Sequence, residues 1–259
     1  MHKVVALVVC LLAGCGAREE KDARVTFRAE DGAEVNLADA DGKVSYEVTG
    51  KQKVPKEAAV LHAEAREEGS AGRYESAIQL LERAAKLAPD WAYPVYDLAY
   101  TYVLQDDLRV ALAKYRQVDV MEPEGFFTTK TAIWTLEREE SGALPVGTYS
   151  AYLALELAAE DEKKQLVTAL LEKAPTYPPA IKDLALITAD PGEKMNLIDR
   201  ALALNPDAET YGILMLNRAI LRNSQNRTEE ARTILQGLLD RTNTIGTRTL
   251  AQEVLEKRM

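Results

Sequence analysis

The spacing of apolar positions changes along the chain, and each spacing predicts a different structure. Positions 4–12 form an unbroken apolar run, and positions 16–23 are short and polar. Residues 24–49 then alternate. Val25, Phe27 and Ala29 are apolar every second position, as are Ala33, Val35 and Leu37, and again Val44, Tyr46 and Val48. A period of two predicts half-buried strands. Asp31-Gly32 is a two-residue hairpin signal between the first two runs, and Asp39-Ala40-Asp41-Gly42 supplies a second turn. The expectation is a three-stranded antiparallel meander over 24–50. A sheet that small needs a cover for its apolar face, and the helix pair next in sequence is the nearest candidate.

From Lys56 the spacing becomes helical, and the chain repeats. Segments 58–91 and 92–125 align without a gap. Leu61 falls on Val95, Ala65 on Ala99, Gly72 on Asp106, Ala77 on Ala111, Leu81 on Tyr115, Ala84 on Val118 and Pro89 on Pro123. Small residues recur where two helices must cross at 8–10 Å. Each proline stops the second helix, because it lacks an N–H and disfavours helical geometry in the residue before it. With its period of about 34 residues, this pattern resembles the tetratricopeptide repeat, a helix–turn–helix unit that stacks into an α-solenoid. The second copy matches better, with Leu98, Ala99, Tyr102, Ala111, Tyr115 and Pro123. The first departs where Glu64 and Glu68 replace apolar residues, as expected of a terminal copy.

Downstream the copies degrade. Degenerate pairs are expected at 148–175, 178–206 and 208–241, with Ala185 and Ala201, then Ala219 and Ala231, in repeat-like roles. A helix at 246–258 would cap the exposed end. The helix at 126–140 has no evident partner. The fold class is therefore mainly α: a tetratricopeptide-like α-solenoid of helix pairs over 56–259, with a small N-terminal antiparallel β meander.

The apolar run at 4–12 follows a short basic start containing Lys3. Nine helical residues would span roughly 13 Å, under half of a ~30 Å hydrocarbon core, so the run suits a signal segment rather than a membrane span. It ends in Leu12-Ala13-Gly14-Cys15, which resembles a bacterial lipobox. The resemblance implies cleavage after residue 14 and lipidation of Cys15 by diacylglyceryl and palmitate-like acyl chains. Several chains hold a protein to a bilayer far more firmly than one. Gly16 stands where many Gram-negative inner-membrane lipoproteins carry Asp, so the resemblance implies the periplasmic side of the outer membrane in such a cell. Residues 16–23 form a tether reaching at most ~28 Å. The meander and the first repeats are expected to face the membrane.

Charge and composition narrow the function. The net charge is −9, or −10 once Lys3 is removed, which excludes a basic nucleic-acid footprint. The two cysteines, Cys10 and Cys15, both lie at the N-terminus, and His62 is the one histidine beyond it. No phosphate loop, metal-spaced histidine pair or catalytic triad is present, so neither catalytic residues, metal nor cofactor are expected. His62, at the fifth position of the first repeat, is expected on the surface. Asp39-Ala40-Asp41-Gly42 fails as a calcium loop on spacing, since Leu37 and Val48 would fall on ligand positions.

In the tetratricopeptide family the first helix of each pair lines a binding groove. The resemblance puts Tyr93, Tyr96, Tyr100, Val103 and Leu104 on that face, with His62 and Arg66 from the first copy. Tyrosine combines apolar area with a hydrogen-bonding tip and is a common interface anchor. The tyrosines could equally pack against a neighbouring repeat or the β meander. The expected function is a lipid-anchored envelope scaffold or assembly factor with a protein partner. The alternative is a small-molecule or enzymatic site between the β segment and the repeats.

Overall fold

The computed structural model describes residues 5–9, 24–29, 33–36, 42–49 and 54–258. Among them are four strands and twelve helices, so the class is mainly α with a small sheet, as expected. Leu12-Ala13-Gly14-Cys15, the tether, Asp31-Gly32 and Asp39-Ala40-Asp41 lie outside the described residues.

The strands are β1 (Val5–Val9), β2 (Arg24–Ala29), β3 (Glu34–Val35) and β4 (Gly42–Thr49). The pairing of β2 with β3 and with β4 is antiparallel. Their order differs from that of a simple meander: the sheet runs β1-β4-β2-β3, with β2 inside. The apolar N-terminal run supplies β1, which lies parallel to β4.

The chain forms two compact units. One comprises residues 50–137 with α1 (Lys56–Ser70), α2 (Tyr74–Leu87), α3 (Ala92–Leu104), α4 (Leu108–Met121) and most of α5 (Thr129–Glu140). Its core joins the two copies: Ala65, Leu81 and Leu98 pack together, flanked by Ile78, Leu80 and Tyr102. The crossing residues Ala65, Ala77, Ala99 and Ala111 are all buried.

The other unit holds the strands and residues 138–259. Its helices are α6 (Thr148–Leu157), α7 (Glu160–Lys173), α8 (Pro178–Ile187), α9 (Pro191–Leu202), α10 (Ala208–Ser224), α11 (Thr228–Leu238) and α12 (Ile245–Arg258). Phe27 of β2 is buried among Leu186, Ile213, Leu216, Ile220, Leu250 and Val254, with Val35 packed alongside. The sheet is therefore covered by the last helices of the chain, not by the first pair. Alternation told which face of β2 is apolar, but adjacency in sequence was a poor guide to its cover.

Two backbone corners recur. Inside a pair, Gly72, Asp106 and Asn226 all take positive φ (74°, 61° and 63°). Each follows a helix end, and the next N–H returns to a carbonyl five residues back: Arg73 to Glu68 at 2.9 Å, Asp107 to Tyr102 at 2.9 Å and Arg227 to Arg222 at 3.0 Å. This closure satisfies carbonyls that the helix end leaves open. Asn226 is thus a turn residue of the fifth pair. Between pairs, Ala88, Glu122 and Ala174 share one conformation (φ −134°, −130° and −130°), each immediately before a proline.

These pre-proline corners explain α5. Pro89 and Pro123 stand one repeat apart, whereas the step from Pro123 to Pro175 is longer by half a repeat. The longer interval holds three helices, α5, α6 and α7, where two are usual. Arg116–Glu137 at 2.8 Å and Lys130–Asp119 at 2.6 Å tie α5 to α4. At its other end, buried Glu139 accepts the N–H groups of Gly147 and Tyr149, both at 2.7 Å, and so caps α6.

Candidate functional site

The first helices of the two clear copies meet directly. His62 on α1 donates through Nε2 to Asp97 Oδ2 on α3 at 2.8 Å. His62 is only 8% exposed, contrary to the surface position expected of it. Its ring meets Trp91 edge-on at 4.8 Å and Tyr93 at 5.9 Å. The fifth repeat position is filled here by neighbouring rings, because Trp91 stands immediately before α3 and leans back toward α1.

The aromatic contacts continue toward α5. Tyr93 meets Phe126 at 5.1 Å and Phe127 at 5.5 Å, and Tyr96 meets Phe127 at 4.9 Å and Tyr115 at 5.6 Å. These separations and the mostly edge-to-face angles are the favourable geometry of aromatic pairs. Phe127 holds a positive φ of 47°, following Gly125 at 106°. A bulky residue in that region is an outlier whose backbone strain the surrounding packing must hold.

The structure divides the groove residues named from sequence. Tyr96 is buried, with its hydroxyl 3.1 Å from Thr128 Oγ1, and Val103 is buried too. Both are interior parts of the fold. Tyr93 and Tyr100 are half-buried, Arg66 is exposed, and Leu104 is 43% exposed. Sequence reasoning missed Trp91, Asp97, Phe126 and Phe127. A signal existed for one of them. Continuing the repeat frame to 126 places Phe127 at the second position, equivalent to Tyr93. The result is a half-buried face of Trp91, Tyr93, Tyr100 and Phe127, backed by Tyr96 and Phe126 and bordered by Asp97. Such a face can receive apolar or aromatic side chains and offers a carboxylate at its edge.

A second polar cluster lies in the other unit. Buried Lys182 on α8 donates to Tyr152 Oη at 2.8 Å and pairs with Asp183 Oδ1 at 3.1 Å. Burial pushes the Asp183 carboxyl up, with Lys182 opposing. Lys182 and Asp183, neighbours on α8, offset one another's charge, and Tyr152 meets Lys182 from α6. No group of three or more metal-ligating side chains occurs among the described residues. No helix among them is long and apolar enough to cross a membrane.

No family model matches this chain, and no curated relative does. Among solved structures, it is similar to residues 41 to the end of MamA from Desulfovibrio magneticus RS-1, at 13% identity and a TM-score of 0.34, covering 80% of this chain and 99% of that one. It is similar to TTC0263, a TPR protein of Thermus thermophilus, at 19% identity and a TM-score of 0.31, covering 76% and 99%. YrrB, described as a TPR protein with an unusual peptide-binding site, is similar at 12% identity and a TM-score of 0.31, covering 76% and 90%.

Proposed function

We propose that this chain is a lipid-anchored bacterial envelope protein that acts as a protein–protein interaction scaffold or assembly factor, without catalysis of its own. One observation carries the scaffold reading: the half-buried aromatic face of Trp91, Tyr93, Tyr100 and Phe127, held by helices whose backs are already packed. Rigid aromatics on a preformed face lose little entropy on binding and make strong anchors. The lipobox-like Leu12-Ala13-Gly14-Cys15 supports the anchor.

Arg24 follows Cys15 by nine residues, a reach of ~30 Å. That reach keeps β2, and the helices α8, α10 and α12 among which Phe27 packs, close to the lipid surface. Phe27 and Val35 occupy part of the region between β2 and its covering helices, where the alternative reading would put a small-molecule site.

Photocrosslinkers at Tyr93 and Phe127 in intact cells test the scaffold. A discrete protein partner should be captured, and the pair Tyr93→Ala with Phe127→Ala should reduce its recovery by about tenfold or more. Equal recovery from a folded double variant would sink the assignment. Cys15→Ser should abolish palmitate labelling, and labelling that persists would remove the anchor.

A further inference from the structure

The two edges of the sheet are built differently. At one edge β3 is two residues long, which leaves little to pair with. At the other, β4 runs for eight residues, Gly42–Thr49, without a proline. Proteins ordinarily blunt exposed edges by shortening them or placing proline there, because unpaired N–H and C=O groups recruit other strands. Here the long edge is occupied. Val5–Val9 pairs parallel with β4, with Val5 opposite Gly42, Leu7 opposite Val44 and Val9 opposite Tyr46. The same segment packs against α10 and α8.

Val5–Val9 also lies inside the segment that the lipobox reading removes. Cleavage before Cys15 would take β1 away and leave the long edge of β4 open beside helix surface that β1 had covered. We propose that the outer edge of β4 is a strand-accepting site. In the precursor it holds the chain's own leader. In the mature protein it takes an extended apolar segment of a partner protein, rich in β-branched residues and running parallel to β4. The main-chain ladder would supply affinity, and the apolar side chains would be chosen by the surface of α8 and α10. This inference rests on the cleavage reading and is independent of the aromatic face on α3.

The test uses the lipoprotein extracted from membranes of cells making the full chain. The probe is a synthetic peptide of residues 2–11 with Cys10→Ser. Intact mass first reports whether the leader is gone, and a retained leader refutes both cleavage and the open edge. With the leader gone, labelled peptide should bind saturably. N-methylation of alternate amides should weaken binding about tenfold or more, because it removes ladder donors while keeping the apolar surface. The register is tested with Val44→Cys, which places one thiol opposite peptide position 7. A Leu7→Cys peptide should form the mixed disulfide at least about tenfold faster than a Val9→Cys peptide, given the distance limits on disulfides. Absence of binding, indifference to N-methylation or indifference to register each overturns the proposal while leaving cleavage standing.

Discussion

The helices of residues 54–137 and those of residues 138–258 share a corner but are held together differently. In the first region Ala65, Leu81 and Leu98 join helices adjacent in sequence, so the core contacts reach no further than the next repeat. In the second, Ile181, Ala185, Ile198 and Ala201 do the same for α8 and α9, but a further cluster includes Phe27, which comes from the opposite end of the chain to Leu186 and the helices beyond it. A repeat with small residues at its crossings is stabilised by its neighbours. Where the pattern degrades, a long-range contact takes over, at a greater cost in chain entropy.

That contrast can be broken from the C-terminal side first. Phe27→Ala should cost about 3–5 kcal/mol, since it removes the aromatic ring at the centre of that cluster. Both tryptophans, Trp91 and Trp134, lie in the first region, so tryptophan fluorescence reports that region while circular dichroism reports both. In urea, the variant should move the dichroism transition and leave the fluorescence transition in place. Coincident shifts would show that the two regions unfold as one.

A smaller effect is expected at Gly212. A Cβ there would lie 1.9 Å from Thr247 Oγ1, so α10 and α12 touch because residue 212 has no side chain. Gly212→Ala should cost about 2 kcal/mol, again on the dichroism transition, and Thr247→Ala should restore part of it. If the single variant were neutral, the close approach would not hold the last helices together.

In the first region, Asp107 caps α4 by accepting Val110 N–H at 3.2 Å. Asp107→Ala should cost about 1 kcal/mol and move the fluorescence transition. The smallest effect concerns Glu68. Arg73 grips its carboxylate through Nε and Nη2 at 2.6 and 2.7 Å, and holds its pKa at about 2 against an ordinary 4.5. A depressed carboxylate contributes stability above its ordinary pKa, and loses it as pH falls through the folded value. Arg73→Ala should return the Glu68 titration, followed by carboxyl NMR, toward 4.5. An unchanged titration would assign the shift to Ser76, the other side-chain donor.

The binding face was only partly legible in the sequence. Tyr93 and Tyr100 sit half-exposed at the positions where the repeat places its groove, but Tyr96 and Val103, on the same helix, are interior. Helical spacing tells which residues share a side. It does not tell how much of that side a neighbour covers, and here Phe126, Phe127 and Thr128 cover Tyr96. His62 shows the same limit. Its burial depends on Trp91 and Asp97 in the following repeat, and no local pattern announces that meeting.

The helix pairs, their small crossing residues and their proline stops could be read from the amino-acid order alone, because they follow from backbone sterics and a fixed period. The alternation also marked Phe27 as one face of a strand. What that face meets, the place of β2 inside the sheet, and the role of α5 as the extra helix between Pro123 and Pro175 were settled instead by packing between distant segments. Those outcomes depend on which distant surfaces compete for the same apolar area. Hydrophobic burial is non-directional, so periodicity specifies that a face must be covered without naming the cover.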